Sequence, residues 1–213
     1  MKYFSFFQNL ALLVAVVSSP LVAQESESVM VIEAYSGKIL IANNASAKRP
    51  IASLNKIAMA VVTVDWATTT GTDIGTTVIT APQTVALVGG PNPMNLQPGD
   101  QLTLRDALYS AMLGSDNLAA LAIADHVGKE ILNRLGGNGD PVAAFVGQMN
   151  LLCEALGMKQ TRFANPHGLE RPSAKAFSTA ADVARLSVYA MKRNALNFIV
   201  RQKERQISVS GSE

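Results

Sequence analysis

A chain of 213 residues, 48% hydrophobic and 16% charged, has material for one enzyme-sized domain, or for one domain with a small lobe. Its formal net charge is +2 and it has no basic run, which argues against nucleic acid or an anionic membrane surface as partner.

The first 23 residues read as a secretory signal and residues 24–213 as the folded domain. Lys2 gives a basic start, Leu10 to Val17 an apolar stretch too short for a comfortable membrane span, and Ser18-Ser19-Pro20 a break before Ala23. Leu21 stands where a smaller residue is usual, so an uncleaved anchor is the alternative. The expected location is across the inner membrane, in the periplasm or cell envelope. Val29–Ile32 and Ile39–Ile41, joined through Tyr35-Ser36-Gly37-Lys38, read as a β-hairpin. A long apolar helix is expected from about Ser53 to Trp66, ending at Thr68-Thr69-Thr70-Gly71, and a short strand at Thr76–Thr80.

Thr103 and Asp106 resemble a capping box opening a helix over Leu104–Leu113. Gly114-Ser115-Asp116-Asn117 interrupts it, and the helical pattern resumes over Leu118–Val127. Asp140 with Pro141 caps a helix running to about Leu156, in which the only cysteine, Cys153, falls on the apolar face as a buried structural thiol. Thr179 and Asp182 form a second capping box, and Ile207–Val209 is a strand candidate.

Ser53-Leu54-Asn55-Lys56 carries the chemistry. Residues i and i+3 of a helix are neighbours, roughly 5–6 Å apart at Cβ, so the Lys56 amine reaches the Ser53 hydroxyl and can activate it as a nucleophile. A Ser-x-x-Lys alone is weakly specific. Its companion is Ser115-Asp116-Asn117, at the break between two helices, where side chains face a cleft. Ser115 can relay a proton to a leaving group, and the Asn117 amide can bind both a substrate backbone and Lys56. A helix N-terminus at Ser53 favours a developing oxyanion, and Lys56 is expected to be buried with a depressed pKa so that its neutral form can act as base.

These motifs, with Pro50-Ile51-Ala52 before Ser53, Leu96-Gln97-Pro98-Gly99, Phe163-Ala164-Asn165-Pro166-His167-Gly168-Leu169 and Ser178-Thr179-Ala180-Ala181-Asp182, resemble the D-alanyl-D-alanine carboxypeptidases of the low-molecular-mass penicillin-binding proteins. The resemblance covers nearly all of residues 28–205. It implies a β-lactamase/transpeptidase-like fold of mixed α/β (α+β) class: an antiparallel sheet flanked by a helical lobe, with the C-terminal strands missing. It also implies catalytic roles for Ser53, Lys56 and Ser115, a substrate-binding role for Asn117, and no cofactor or metal. The implied partners are peptidoglycan pentapeptides ending in D-Ala-D-Ala, and β-lactams. Any membrane association would reside in a region downstream of residue 213. One departure stands out: no Lys-Thr-Gly or Lys-Ser-Gly occurs, and Val209-Ser210-Gly211 lacks the cation that would hold a substrate carboxylate. The expectation is a C-terminally truncated chain whose third motif lies just beyond residue 213.

Two alternatives stay open. A class A β-lactamase-like hydrolase would need a deacylating glutamate on a loop after the second motif; Glu130-Ile131-Leu132-Asn133 is one residue short of the usual Glu-x-x-Leu-Asn and comes only 15 residues after Ser115. An inactive, wall-binding module would need no third motif. A metal site would have only His126 and His167 to draw on, and structural roles are preferred for both.

Overall fold

The computed structural model describes residues 27–170 and 175–211. The expected signal segment lies outside them. The chain is of mixed α/β class, as expected, but its strands form two separate two-stranded antiparallel sheets rather than one sheet among the described residues.

Strands β1 (Val29–Ile32) and β2 (Ile39–Asn43) are the expected hairpin, with Val29 opposite Asn43 and a register shift between Val31 and Ile32. The Glu33 carboxylate organises the turn by accepting from the Tyr35 and Ser36 N–H groups. Every residue of β2 is exposed, so this hairpin contributes little to the core.

Helix α1 (Asn55–Thr70) runs through the middle of the molecule, packed against α2 to α6. Ala58, Met59, Ala60 and Val61 are all 0% exposed, as expected of a helix apolar on every side. It continues past Trp66 to Thr70, with Thr68, Thr69 and Thr70 turning their hydroxyls back onto the carbonyls of Val64, Asp65 and Ala67. Gly71, at φ 70°, then ends it in the left-handed region. Ser53 precedes α1 in a single 3-10 turn, Ala52–Leu54.

Strand β3 (Val78–Thr80) pairs with β4 (Gln101–Thr103), a strand too short to stand out beside the Pro98-Gly99 turn. The strand expected at Ile207–Val209 reduces to one bridge, in which Ser210 exchanges both backbone hydrogen bonds with Gln101. This places Ser210-Gly211 against the β3–β4 sheet.

The caps read from sequence are all present. Thr103 accepts from Asp106 N–H and opens α2 (Leu104–Leu113). Asp140 caps α4 (Pro141–Ala155), and Thr179 caps α5 (Ala180–Met191). Helix α3 (Asn117–Leu135) begins one residue earlier and ends eight later than expected, because Asp116 caps it and its second half keeps a polar outer face up to Gly136. A seven-residue helix, α6 (Asn194–Val200), was not expected; it buries Leu196 and Ile199. Arg193, just before it, grips Asp65 of α1 at 2.8 and 2.9 Å while its guanidinium lies 3.4 Å over the Tyr189 ring. Cys153 is 3% exposed, and burial pushes its thiol up to about 12.

Candidate active site

Three segments remote in sequence meet at the start of α1. The first is the Ala52–Lys56 turn, the second the Ser115–Asn117 break between α2 and α3, and the third the Asn165–Leu169 loop. Two non-glycine residues at their junctions hold left-handed backbone, Ala52 at φ 43° and Ser115 at φ 55°. Such conformations are costly outside glycine and persist only where the surroundings fix them. At Ala52 the fixing contact is Gly168, itself at φ 89°, whose backbone lies so close that a Cβ there would stand 1.9 Å from the Ala52 carbonyl oxygen.

Ser53 is exposed while Lys56 is only 2% exposed, so the amine is buried beneath an accessible hydroxyl. Lys56 Nζ lies 3.2 Å from Ser53 Oγ, 3.4 Å from Ser115 Oγ, 2.7 Å from Asn117 Oδ1 and 3.0 Å from the His167 carbonyl. Ser115 Oγ is 2.9 Å from Ser53 Oγ. The structure therefore brings Ser53, Lys56, Ser115 and Asn117 together as the sequence reading required.

The four neighbours of Lys56 differ in what they can do. Asn117 Oδ1 and the His167 carbonyl can only accept, whereas the two serine hydroxyls can also donate. A neutral amine has two hydrogens. With these committed to the two carbonyls, its lone pair is left facing Ser53 and Ser115, the orientation a general base needs.

Burial lowers the Lys56 pKa from 10.5 to about 8, and the nearby Asp116 carboxylate opposes the shift. Asp116 is itself 0% exposed and fully engaged. One oxygen caps α3 through the Leu118 and Ala119 N–H groups at 2.9 and 3.0 Å, and the other accepts from Ser110 Oγ at 2.8 Å. The cap thus also supplies the charge that keeps Lys56 from falling further.

Several contributors carry no residue-type signal. Asn117 Nδ2 donates one hydrogen to the Gly89 carbonyl at 2.9 Å, which fixes the amide with its oxygen toward Lys56 and leaves Nδ2 a second hydrogen for a ligand. Gly90, at φ 90°, passes so near that a Cβ there would stand 2.3 Å from Asn117 Nδ2. The His167 carbonyl acts through the backbone, while the His167 ring is 3% exposed and accepts from Leu169 N–H through Nδ1 at 3.1 Å. His126 is remote from this chemistry: it packs edge-on against Trp66 at 6.2 Å, and burial lowers its pKa. Glu130 lies 13 residues into α3 from Asn117, about 20 Å along the helix axis.

The sequence model of the D-alanyl-D-alanine carboxypeptidases, peptidase family S11, matches residues 14–212. The chain is 31% identical over 192 residues to D-alanyl-D-alanine carboxypeptidase DacA of Escherichia coli K12, covering 88% of this chain and 44% of that one. It is 34% identical over 163 residues to a D-alanyl-D-alanine endopeptidase of Pseudomonas aeruginosa, covering 76% of this chain and 46% of the relative. Among solved structures, penicillin binding protein 6B from Escherichia coli superposes with a TM-score of 0.69 at 26% identity, over 88% of this chain and 58% of that one. The chain thus spans about half the length of the curated relatives it matches. Fold, paired motifs and family match agree: the chain belongs to the D-alanyl-D-alanine carboxypeptidase family.

Proposed function

We propose that this site performs serine acyl transfer on peptidoglycan stem peptides ending in D-Ala-D-Ala, and that penicillin acylates it covalently. The observation that carries the reading is a lysine 2% exposed, with a pKa of about 8, at 3.2 Å from an exposed serine hydroxyl. Neutral Lys56 takes the Ser53 Oγ proton as Oγ attacks the carbonyl carbon of the penultimate D-Ala. The C–N bond then breaks, and the proton passes from Lys56, through Ser115, to the departing amine of the terminal D-Ala. Water adds to the resulting ester with Lys56 accepting its proton, and as the ester C–O bond breaks Lys56 passes that proton to Ser53 Oγ, which restores both groups. Asn117 Nδ2 donates its second hydrogen to the peptide backbone during these steps. With a pKa of about 8, about a tenth of the Lys56 is neutral at pH 7 and able to accept the Ser53 proton.

The β-lactamase-like reading is disfavoured by the distance of Glu130 from the site, and the inactive-module reading by the poised Lys56. The endopeptidase relative raises a second substrate of the same chemistry, a cross-linked peptide, which differs in the leaving amine. Incubation with a fluorescent penicillin tests the reading. Wild-type protein is expected to carry a covalent label that Ser53→Ala abolishes; an unlabelled wild type, or equal labelling of both, would overturn it. Release of free D-Ala from a pentapeptide, against cleavage of cross-linked dimers, separates the two substrates. Export to the periplasm or cell envelope through the first 23 residues belongs to the same proposal. Cell fractionation and the N-terminal sequence of the mature protein test it, cytoplasmic retention being the adverse result.

A further inference from the structure

Asn55 lies between the nucleophile and the base, and its side chain is 0% exposed. Its Nδ2 donates to the Asn165 carbonyl at 3.2 Å, while its Oδ1 has no hydrogen-bond partner among the described residues. A half-satisfied amide in a dry interior is a cost to the fold. The next residues along α1 include Ala58, Met59, Ala60 and Val61, all fully buried, so packing alone would favour an apolar side chain at this position.

The one bond Asn55 makes lands on the loop that supplies an acceptor to Lys56. Within that loop Asn165 Oδ1 accepts from His167 N–H at 3.2 Å and Gly168 N–H at 2.6 Å, and Asn165 Nδ2 donates to the Leu169 carbonyl at 2.7 Å. These bonds close a tight turn that presses Gly168 against Ala52 and presents the His167 carbonyl 3.0 Å from Lys56 Nζ. The contacts form a continuous path from Asn55 through Asn165 and His167 to Lys56.

We infer that Asn55 is a positioning residue: by holding the Asn165 carbonyl it registers the loop on α1, so that the His167 carbonyl engages the Lys56 amine and the lone pair of that amine faces Ser53. The inference rests on the reading of Lys56 as base. It assigns a function to a costly buried amide that packing does not call for.

The test compares Asn55→Leu, similar in volume but without the donor, and Asn55→Thr, which keeps a shorter one. In Asn55→Leu the rate of Ser53 acylation by a fluorescent penicillin, on its high-pH plateau, is expected to fall about tenfold or more, because misplacement of catalytic groups by fractions of an ångström is that costly. The midpoint of its pH profile is expected to move down, since a carbonyl acceptor favours the ammonium form. The thermal midpoint should stay within a few degrees, and the Gly168 amide should exchange with solvent at least about tenfold faster as local opening becomes easier. Asn55→Thr should recover part of the rate, and it carries the test alone if Asn55→Leu does not fold. Unchanged Gly168 exchange would overturn the inference, as would faster exchange with an unmoved acylation profile. A wild type that is not acylated refutes the proposed function instead. The inference is then decided by NMR titration of the Lys56 amine, which Asn55→Leu shifts if Asn55 positions Lys56 and leaves in place if it does not.

Discussion

The buried ammonium of Lys56 sets a pH dependence on the stability of the whole fold. Its folded pKa of about 8 lies below the ordinary 10.5, so between those values the unfolded chain holds a proton that the folded protein has released. Stability from this group therefore rises with pH across that window. Below pH 8 the charge costs the fold about 3 kcal/mol, and raising the pH from about 7 to about 9.5 relieves about 2 kcal/mol of it. Lys56→Met removes the group. The stability of wild type minus that of Lys56→Met is expected to move by about 2 kcal/mol in favour of the wild type over the same range. Other groups that titrate there, Cys153 among them, are present in both proteins and cancel in the difference. Guanidinium unfolding of both at a series of pH values gives the quantity directly, provided the two slopes match. A difference that stays flat across the range would refute the buried, proton-shedding lysine and the base assignment with it.

Other perturbations separate the site from the scaffold. In Gly90→Ala the new Cβ meets the end of the Asn117 side chain, which can move. Acylation should fall about tenfold while the left-handed backbone costs only about 1–2 kcal/mol, readable as a small drop in Tm. Gly168→Ala sets a Cβ against the Ala52 carbonyl, a backbone atom that cannot yield, and a loss of more than about 3 kcal/mol is expected by denaturant titration. A loss below about 1 kcal/mol would show that the loop shifts freely. The Cys153 thiol, raised to about 12, should stay silent toward a disulfide reagent in the native protein and react once the chain is unfolded. Its raised value contributes stability that is fully present below its ordinary 9.0 and is lost as the pH climbs through about 12, so Cys153→Ala should soften alkaline unfolding.

What the sequence revealed was local chemistry. Thr103, Asp140 and Thr179 cap their helices because a short oxygen at that position satisfies N–H groups two or three residues on, whatever the rest of the chain does. The Ser53–Lys56 spacing likewise needs only a turn of backbone. The elements that escaped are those set by tertiary contact. Helix α6 has no side-chain cap and too few residues to show a period, and it exists because Leu196 and Ile199 find the core. Strand β4 is three residues stabilised by its partner. In the site, the carbonyls of Gly89 and His167 are backbone atoms and so leave no trace in residue type. Asn55 was visible as a letter inside the motif, but that it was buried rather than facing the cleft could be learned only from the fold.

The four groups around Lys56 stand 3, 59, 61 and 111 residues from it along the chain. The turn and helix that carry Ser53 and Lys56 can form within about a microsecond, but the environment that discharges the lysine needs three closures of increasing length. The Ser53–Lys56 pair is therefore made early and its surroundings late. In a refolding experiment the far-ultraviolet helical signal should recover ahead of the ability to be acylated, and the covalent label becomes a clock for the last tertiary step. The same ordering bears on synthesis, since a chain emerging from the ribosome presents Ser53 more than a hundred residues before His167 and meets water with a charged, ineffective lysine beside it. On the proposed chemistry, Ser53 is thereby kept quiet until the chain that surrounds Lys56 has folded.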